Sequence, residues 1–366
     1  MKGTNSENVK KIKIDIVMFI LMIILIFIGF LLIASASNLL ETGQYKLLFT
    51  QFMWFCIGLI VFFVFYLVDY KIIINFYIIF YIFVIGMLLY VDFKGVNILG
   101  GQRWIKLGPF SFQPSEISKL LMVIFIAKYV SNTNDINKIT NLLKVLLLSG
   151  IPILLVFKQP DLGTASVFIA SLIIIIFVAG LDLKYIFYSL IFAIIMIPIS
   201  WKYILFPHQK DRILILLNPY KDPLGKGYQV LQSITAIGSG KLFGKGLFLG
   251  IKNIPVKETD FIFGIAGEEF GFIGCIIIII LFTLLILRIV NLAMKLKDKE
   301  GYFIVIGIAT MFSFQVFVNI AMTIGLMPVT GIPLPFISYG GSSLLTCMAS
   351  LGLVQNIYKQ NYKTIF

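Results

Sequence analysis

Ten long apolar runs dominate this chain, and about 20 mostly apolar residues in a helix are enough to cross the hydrocarbon core of a bilayer. Hydrophobic residues make up 59% of the 366 residues and charged residues only 13%, which leaves too little polar surface for a water-soluble globule. The sequence therefore predicts an all-α, polytopic integral membrane protein with about ten transmembrane helices. The runs cover residues 14–34, 47–67, 71–91, 115–130, 141–157, 163–181, 184–206, 261–288, 301–327 and 338–358.

The basic start of the chain sets the expected topology. MKGTNSENVKKIKID resembles the first region of a signal peptide, but no small-residue cleavage site followed by a soluble domain is found, so we expect a retained first helix. Lysines collect on the cytoplasmic side of membrane proteins, which places both termini in the cytoplasm. With ten spans, residues 203–259, between spans seven and eight, then face outward. We expect residues 1–366 to form one membrane domain.

The long outer connection is unexpectedly basic. Its length makes it weakly subject to the positive-inside rule, so its charge does not overturn the topology. One interpretation is a loop that lies on anionic lipid head groups. The other is an outer face that collects an anion, to which Lys94, Arg103 and Lys106 of the third-to-fourth connection would add. The loop's basic residues are Lys210, Arg212, Lys221, Lys226, Lys241, Lys245, Lys252 and Lys257, against the acids Asp211, Asp222 and Glu258.

The middle of this connection has a pattern of its own. Residues 227–250, GYQVLQSITAIGSGKLFGKGLFLG, place apolar residues at helical spacing and follow them with glycine-rich turns. This pattern predicts a short interfacial helix and a loop at the membrane surface. A separate soluble outer domain is not expected, because the segment is too small to bury a core.

Few residues in the chain indicate a metal site or a disulfide bond. Cys56, Cys275 and Cys347 lie in predicted spans without ligand spacing, so we expect them to fill the core. The single histidine, His208, lies in an extramembrane connection, which leaves little for histidine-based metal or proton-relay chemistry. No protein metal site is therefore predicted.

Scarce carboxylates crowd the start of the eighth span, in IPVKETDFIFGIAGEEFGFIG at residues 254–274. Asp260 would lie at the outer membrane boundary, where an ionisable group is costly. Thr259 or Asp260 could simply cap the eighth helix, or Asp260 could face a substrate. Glu268 and Glu269 would lie roughly 12 Å deeper along the helix, where inward-facing structural pairing is the simpler interpretation.

Two further segments join polar residues to the membrane boundary. In GQRWIKLGPFSFQPSEISKLL, residues 101–121, Glu116 and Lys119 are three apart and share one helix face after Pro114. This pair could be structural or could line an outward-opening cavity near Asp260. In MPVTGIPLPFISYGGSS, residues 327–343, prolines and glycines prevent a regular helix, which fits either a tight turn or the wall of a watery cavity.

These segments, together with KQPDLGTA and NPYKDPLGKGYQVLQS, occur in a fixed order and resemble the SEDS family (shape, elongation, division and sporulation) of bacterial peptidoglycan glycosyltransferases. The NP…DPLGKGYQ and LMPVTGIPLPF stretches resemble its elongation-type members (RodA) more than its division-type members (FtsW). The resemblance implies a ten-span fold and polymerisation of lipid II at the outer face of the bacterial cytoplasmic membrane. It also implies a class B penicillin-binding protein as partner, beside membrane lipids, and no nucleic acid.

The resemblance also assigns roles to individual residues. Asp260 corresponds to the catalytic aspartate of the TDFIF motif, and Trp104, Glu116 and Lys119 correspond to positions in the substrate cavity. Typical members carry a histidine two residues before that aspartate, whereas this chain has Glu258 there.

The implied chemistry agrees with the inventory of residues. Inverting displacement of undecaprenyl pyrophosphate needs one base for the acceptor hydroxyl, for which Asp260 is the candidate, and cations for the leaving group. Arg103, Lys241 and Lys245 are the candidate pyrophosphate-binding residues, and an assisting divalent cation stays open. The alternative functions are a lipid-linked precursor transporter, since intramembrane charge also marks transporters, and a non-catalytic scaffold of the cell-wall machinery.

Overall fold

In the part of the chain that the structure describes, ten long helices follow the ten apolar runs. The computed structural model describes residues 14–37, 45–98, 101–108, 110–204, 210–211, 214–216, 218–222, 225–250 and 256–365. His208, Arg212 and Lys252 lie outside these described residues. The helices are α1 Ile16–Ala36, α2 Lys46–Leu67, α3 Tyr70–Asn75, α4 Tyr77–Lys94, α5 Pro114–Ser131, α6 Ile139–Lys158, α7 Leu162–Val178, α8 Leu183–Ile199, α9 Lys226–Ser239, α10 Ile262–Met294, α11 Lys299–Thr323 and α12 Gly341–Ile365.

The predicted polytopic α-helical membrane fold is confirmed. Among the described residues, seven helices are long and apolar enough to cross a membrane by length and composition: α1, α2, α4, α6, α8, α10 and α11. Helix α7 is shorter, with 17 residues. Helices α5 and α12 carry more polar residues and bury much of their length inside the bundle, where packing with other helices replaces contact with lipid.

Close helix packing forms the core. A Cβ atom added at Gly352 of α12 would lie 2.5 Å from the Phe62 carbonyl oxygen of α2, so only glycine permits this approach. Cys275 and Cys347 are buried in the core as expected. Cys56 is exposed, and the expectation for it was wrong, because it lies on the outward face of α2.

One end of the bundle, which we call the lysine end, carries a set of ion pairs. Lys71 Nζ lies 2.6 Å from Asp298 and 2.9 Å from Glu300, and Lys128 also pairs with Glu300. Arg288 Nε lies 2.8 Å from Asp15, at the start of α1. These contacts bring the connections predicted to be cytoplasmic to the same end of the bundle. The opposite end, the cavity end, holds α9 and the start of α10.

A small antiparallel sheet lies at the cavity end, and the all-α expectation did not include it. Its strands are β1 Val96–Ile98, β2 Gly101–Leu107 and β3 Phe110–Phe112, in the order β1-β2-β3. Val96 pairs with Trp104 and Ile105 pairs with Phe112. The sheet therefore fixes the strand that carries Arg103 and Trp104 over the start of α5.

The predicted helix in the long connection is confirmed as α9, although it packs more deeply than an interfacial helix. Val230, Ser233 and Ala236 are buried, and the Ser233 hydroxyl donates to the Thr323 carbonyl of α11 at 2.8 Å. The glycine-rich loop that follows then bonds to α10. The face of α9 that carries Val230, Ser233 and Ala236 is therefore covered by protein, whereas Ile234 is exposed.

Helix α10 is broken where the loop meets it, which the continuous apolar run did not predict. Gly271 has φ +66°, a left-handed conformation that glycine adopts without steric cost. Backbone N–H groups of Lys245 and Gly246 donate to the carbonyls of Glu268 and Glu269 at 2.9 and 3.1 Å. The loop thereby satisfies carbonyls that the break removes from the helical pattern.

Candidate active site

A cavity of about 280 Å³ opens at the cavity end, between β2, the starts of α5, α10 and α12, and helix α9. The irregular segment 327–340 forms part of its wall, which confirms the cavity interpretation of that segment over a simple turn. Its lining residues are Arg103, Trp104, Gln113, Glu116, Gln229, Val256, Thr259, Asp260, Val329, Thr330, Gly331, Pro333, Tyr339, Gly340, Gly341, Ser342 and Ser343.

Asp260 lines this cavity immediately before α10. The N-cap position of α10 is Phe261, not Asp260 or Thr259, and the Phe261 side chain makes no capping bond. The aspartate therefore does not occupy the N-cap position. A Cβ atom at Gly331, whose φ is +78°, would lie 3.5 Å from Asp260 Oδ2, so a glycine backbone borders the carboxylate.

Glu116 and Lys119 form a buried ion pair below the cavity. Lys119 Nζ lies 2.8 Å from Glu116 Oε1, and both side chains are at most 5% exposed. Glu116 lines the cavity, and its Oε2 atom has no hydrogen-bond partner among the described residues. The predicted pair on one face of α5 is thus present, and its carboxylate is the member that faces the cavity.

Arg103 and Trp104 also line the cavity, and Arg103 is bonded to protein. Its Nε donates to the Gln159 carbonyl at 2.8 Å and its Nη2 to the Pro160 carbonyl at 2.6 Å. Its Nη1 lies 3.9 Å from Asp161. The guanidinium therefore joins β2 to the start of α7 and places positive charge beside the cavity.

Asp161 organises this wall, although its role was not predicted from the sequence. Its carboxylate caps α7 by accepting from the Thr164 backbone N–H at 3.1 Å, and it accepts from Gln113 Nε2 at 3.1 Å. The Ser115 hydroxyl donates to it at 3.3 Å. The available signal was an aspartate three residues before a threonine at the start of an apolar run, which is typical of a helix N-cap.

The start of α12 contributes backbone to the cavity. Gly340, Gly341, Ser342 and Ser343 line it at the N-terminal end of a 25-residue helix, whose free N–H groups carry partial positive charge. The Ser342 hydroxyl accepts from the Gln113 backbone N–H at 2.9 Å, which ties this helix end to α5. The cavity that holds the carboxylates of Asp260 and Glu116 is therefore also lined by partial positive charge.

The structure places Lys241 and Lys245 outside the described cavity lining. Lys245 Nζ lies 2.7 Å from Glu268, whose side chain is 2% exposed, whereas Lys241 is exposed on the glycine-rich loop. Glu269 accepts from the Ser35 hydroxyl of α1 and from the Phe248 backbone N–H at 3.2 Å. Both glutamates thus bond the loop and α1 to the broken helix, in agreement with the structural interpretation.

The donor set limits how a metal ion could bind. Within the part of the chain that the structure describes, no three His, Cys, Asp or Glu side chains are grouped as metal ligands. The two carboxylates of the cavity are Asp260 and Glu116. A magnesium ion commonly uses one or two carboxylates with phosphate oxygens of the substrate, so only that mode fits these residues.

The chain matches one known protein family over nearly its whole length. Residues 15–363 match the FtsW, RodA and SpoVE family, described as cell cycle proteins. The chain is 39% identical over 282 residues to the peptidoglycan glycosyltransferase MrdB of Escherichia coli K12, covering 76% of each protein. It is 36% identical over 360 residues to stage V sporulation protein E of Bacillus subtilis, covering 95% of this chain and 98% of that protein.

A solved structure agrees with these relatives. A chain from a peptidoglycan synthase complex that coordinates polymerization and crosslinking superposes with a TM-score of 0.85 at 30% identity, covering 96% of this chain and 99% of that one. The sequence match to the family and the structural match to the solved chain thus both cover nearly the whole length of this protein. The chain therefore belongs to the FtsW, RodA and SpoVE family of cell cycle proteins, the SEDS family.

Proposed function

We propose that this protein is a peptidoglycan glycosyltransferase that polymerises lipid II into glycan strands at the outer face of the bacterial cytoplasmic membrane. The observation that carries the proposal is one cavity that is lined by Asp260 and Glu116 and also by Arg103 and the start of α12. Such a cavity offers both a base and positive charge. Both are needed to transfer a sugar from a pyrophosphate.

In the proposed reaction, Asp260 accepts the proton of the acceptor hydroxyl. The hydroxyl oxygen forms a bond to the anomeric carbon of the donor as the bond from that carbon to the pyrophosphate oxygen breaks. Undecaprenyl pyrophosphate leaves with the electron pair, and the α linkage becomes β. The leaving group carries its own negative charge, so nearby cations and helix N–H groups stabilise it without a protonating acid.

The other candidate residues have supporting roles. Trp104 and Glu116 line the cavity, where a bound sugar would contact them, and Lys119 forms an ion pair with Glu116. Arg103 places charge at the cavity wall. Lys241 and Lys245 are the proposed outer contacts of the pyrophosphate, of which Lys241 is the more exposed.

The biological role and partner are also proposals. Similarity to MrdB and the elongation-type motifs support cell-wall elongation and rod shape, while a relative named for sporulation matches more of the chain. The solved relative in a peptidoglycan synthase complex supports a class B penicillin-binding protein as partner. The basic N-terminus and the lysine end support a cytoplasmic position for both termini.

A direct assay separates this function from its alternatives. Purified protein is mixed with labelled lipid II in detergent, and products are resolved on a gel. A glycosyltransferase yields a ladder of glycan polymers, whereas a transporter moves lipid II across vesicles without lengthening it. A scaffold does neither, so monomer alone on the gel with a folded, monodisperse protein would contradict the proposal.

A further inference from the structure

Three consecutive backbone carbonyls lead up to the side chain of Asp260, and each accepts a hydrogen bond from a distant part of the chain. The Glu258 carbonyl accepts from the Tyr339 backbone N–H at 2.8 Å. The Thr259 carbonyl accepts from the Ser338 hydroxyl at 2.7 Å. The Asp260 carbonyl accepts from Asn319 Nδ2 at 2.9 Å. We call the three donors, Asn319, Ser338 and Tyr339, the carbonyl clamp.

Asn319 donates two hydrogen bonds from its side-chain amide nitrogen. It is fully buried in α11, and Nδ2 also donates to the Ile332 carbonyl at 2.8 Å. Both neighbours are acceptors, so only the amide nitrogen satisfies them and the orientation of the side chain is fixed. Its Oδ1 has no hydrogen-bond partner among the described residues, a cost that two well-placed donor bonds offset.

Ser338 joins the same segment to the cavity wall. Its hydroxyl accepts from the Leu334 backbone N–H at 2.8 Å while it donates to Thr259. The Ser338 backbone N–H donates back to the Leu334 carbonyl at 3.0 Å, which closes a turn of segment 327–340. One buried hydroxyl thus connects the turn that lines the cavity with the residue preceding Asp260.

We propose that Asn319 and Ser338 are positioning residues that set where the Asp260 carboxylate lies in the cavity. The inference rests on the proposed role of Asp260 as the base. Residues 256–260 form turns rather than helix, so the α10 hydrogen bonds do not fix them. A base displaced by about 1 Å can lose on the order of 100-fold in rate, so donors that fix its main chain have direct catalytic consequences.

The decisive variant is Asn319→Leu, which keeps the approximate size of the side chain and removes both donors. Its kcat should fall by roughly 100-fold with little change in KM, because a base out of position impairs chemistry more than binding. The acid limb of the pH–rate profile should also move, because the surroundings of the Asp260 carboxyl change.

Gln315→Leu is the matched control. Gln315 lies one turn away on the same face of α11 and is as buried, and neither of its amide atoms has a hydrogen-bond partner among the described residues. Replacing an unpaired buried amide by an apolar group of similar shape is close to neutral, so activity should change by no more than about twofold.

Ser338 supplies a second test if Asn319→Leu does not fold. Ser338→Ala removes one buried hydrogen bond and should lower kcat by about tenfold, and Ser338→Thr, which keeps the hydroxyl, should restore most of it. If both Ser338 variants behave alike, the hydroxyl has no positioning role and the inference for Ser338 is wrong.

Asp260→Asn, assayed in parallel, separates this inference from the function on which it rests. If Asp260→Asn is inactive while Asn319→Leu keeps parental kcat and pH profile, the clamp is refuted and the base stands. If Asp260→Asn remains active, the base itself is wrong. If Asn319→Leu loses activity only in proportion to its folded, monodisperse fraction and keeps the parental pH profile, its role is structural and the inference is overturned.

Discussion

The lysine end and the cavity end of the bundle fix their acidic residues in opposite ways. At the lysine end, the carboxylates of Asp15, Asp298 and Glu300 bond directly to Arg288, Lys71 and Lys128. At the cavity end, the main chain of Asp260 accepts the structural hydrogen bond, and its carboxylate lines the cavity. Ion-paired carboxylates stabilise the bundle at the lysine end, whereas at the cavity end the hydrogen bond to the Asp260 carbonyl fixes the main chain of a residue that lines the cavity.

Glu116 lies between these two cases. One of its oxygens pairs with Lys119, as at the lysine end, the other has no hydrogen-bond partner among the described residues, and the residue lines the cavity. We therefore expect the lysine-end acids to have structural roles and Asp260 to have a chemical role. Glu116 should have a mixed role, both structural and chemical. Each assignment has a measurable consequence.

The largest effect is expected at Asp260. Asp260→Asn keeps the size of the side chain and the backbone bond to Asn319 but removes the basic oxygen, so polymerisation should fall by about 100- to 10,000-fold. The melting temperature should stay close to the parental value, because the substitution keeps the side-chain volume and the hydrogen bond from Asn319 to the Asp260 carbonyl. Polymer formation on a gel, normalised to monodisperse protein, measures the rate. Retention of more than about a tenth of it would make Asp260 structural.

The mixed role of Glu116 predicts a split between stability and activity. Glu116→Gln leaves Lys119 buried without its partner, which typically costs about 3–5 kcal/mol, so the melting temperature should fall sharply. Glu116→Gln combined with Lys119→Met removes both charges and should recover most of that stability. Activity should stay low in the double variant, because the cavity carboxylate is gone. Full recovery of activity would show that the pair is only structural.

The glycine-rich loop carries one ion-paired lysine, Lys245, and one exposed lysine, Lys241, so it allows structural and substrate-binding roles to be compared within one segment. Lys245→Met removes the cation from the buried Glu268 carboxylate and should destabilise the protein by about 1–3 kcal/mol. Lys241→Met removes an exposed charge and should leave the melting temperature unchanged. If Lys241 contacts pyrophosphate, this variant should raise KM with little change in kcat. An unchanged KM would leave Lys241 as a lipid-surface residue.

The sequence was sufficient for the framework because the framework depends on apolar length. Runs of the required length predicted the ten long helices, and the rare acid of the TDFIF motif predicted the cavity residue Asp260. The i, i+3 spacing of Glu116 and Lys119 predicted their pairing. These signals are local, so they can be recognised without knowing the fold.

The remaining features depend on contacts between distant segments. The break at Gly271 is stabilised by a loop about 25 residues earlier in the sequence. The apolar pattern of α10 itself does not predict this break. Asn319 and Ser338 look like ordinary polar residues near helix ends, and only the fold brings them to the carbonyls of Thr259 and Asp260. The sheet that carries Arg103 was missed because two of its three strands have only 3 residues.

The smallest effect is expected at the lysine end, where Asp298 tests the structural half of the comparison. Burial alone would raise the pKa of the Asp298 carboxyl, but hydrogen bonds from Lys71, the Gly301 backbone N–H and Tyr70 outweigh it and lower the pKa below its usual 3.8. A lowered pKa means that this stabilisation is complete above the ordinary aspartate pKa and is lost as pH falls through the folded value.

Asp298→Asn keeps one oxygen that accepts from Gly301 and Tyr70, but it loses the charge and the oxygen that accepts from Lys71, so it should cost about 0.5–1 kcal/mol at neutral pH without changing polymerisation. Thermal unfolding in detergent from pH 7 downward should show the two melting curves converging as the pH falls below 3.8. Asp182→Asn is the control, because its pair with Lys184 is exposed and should contribute almost nothing. A loss of polymerisation in Asp298→Asn at normal stability would show that the lysine end also acts in the reaction, and the division between the two ends would fail.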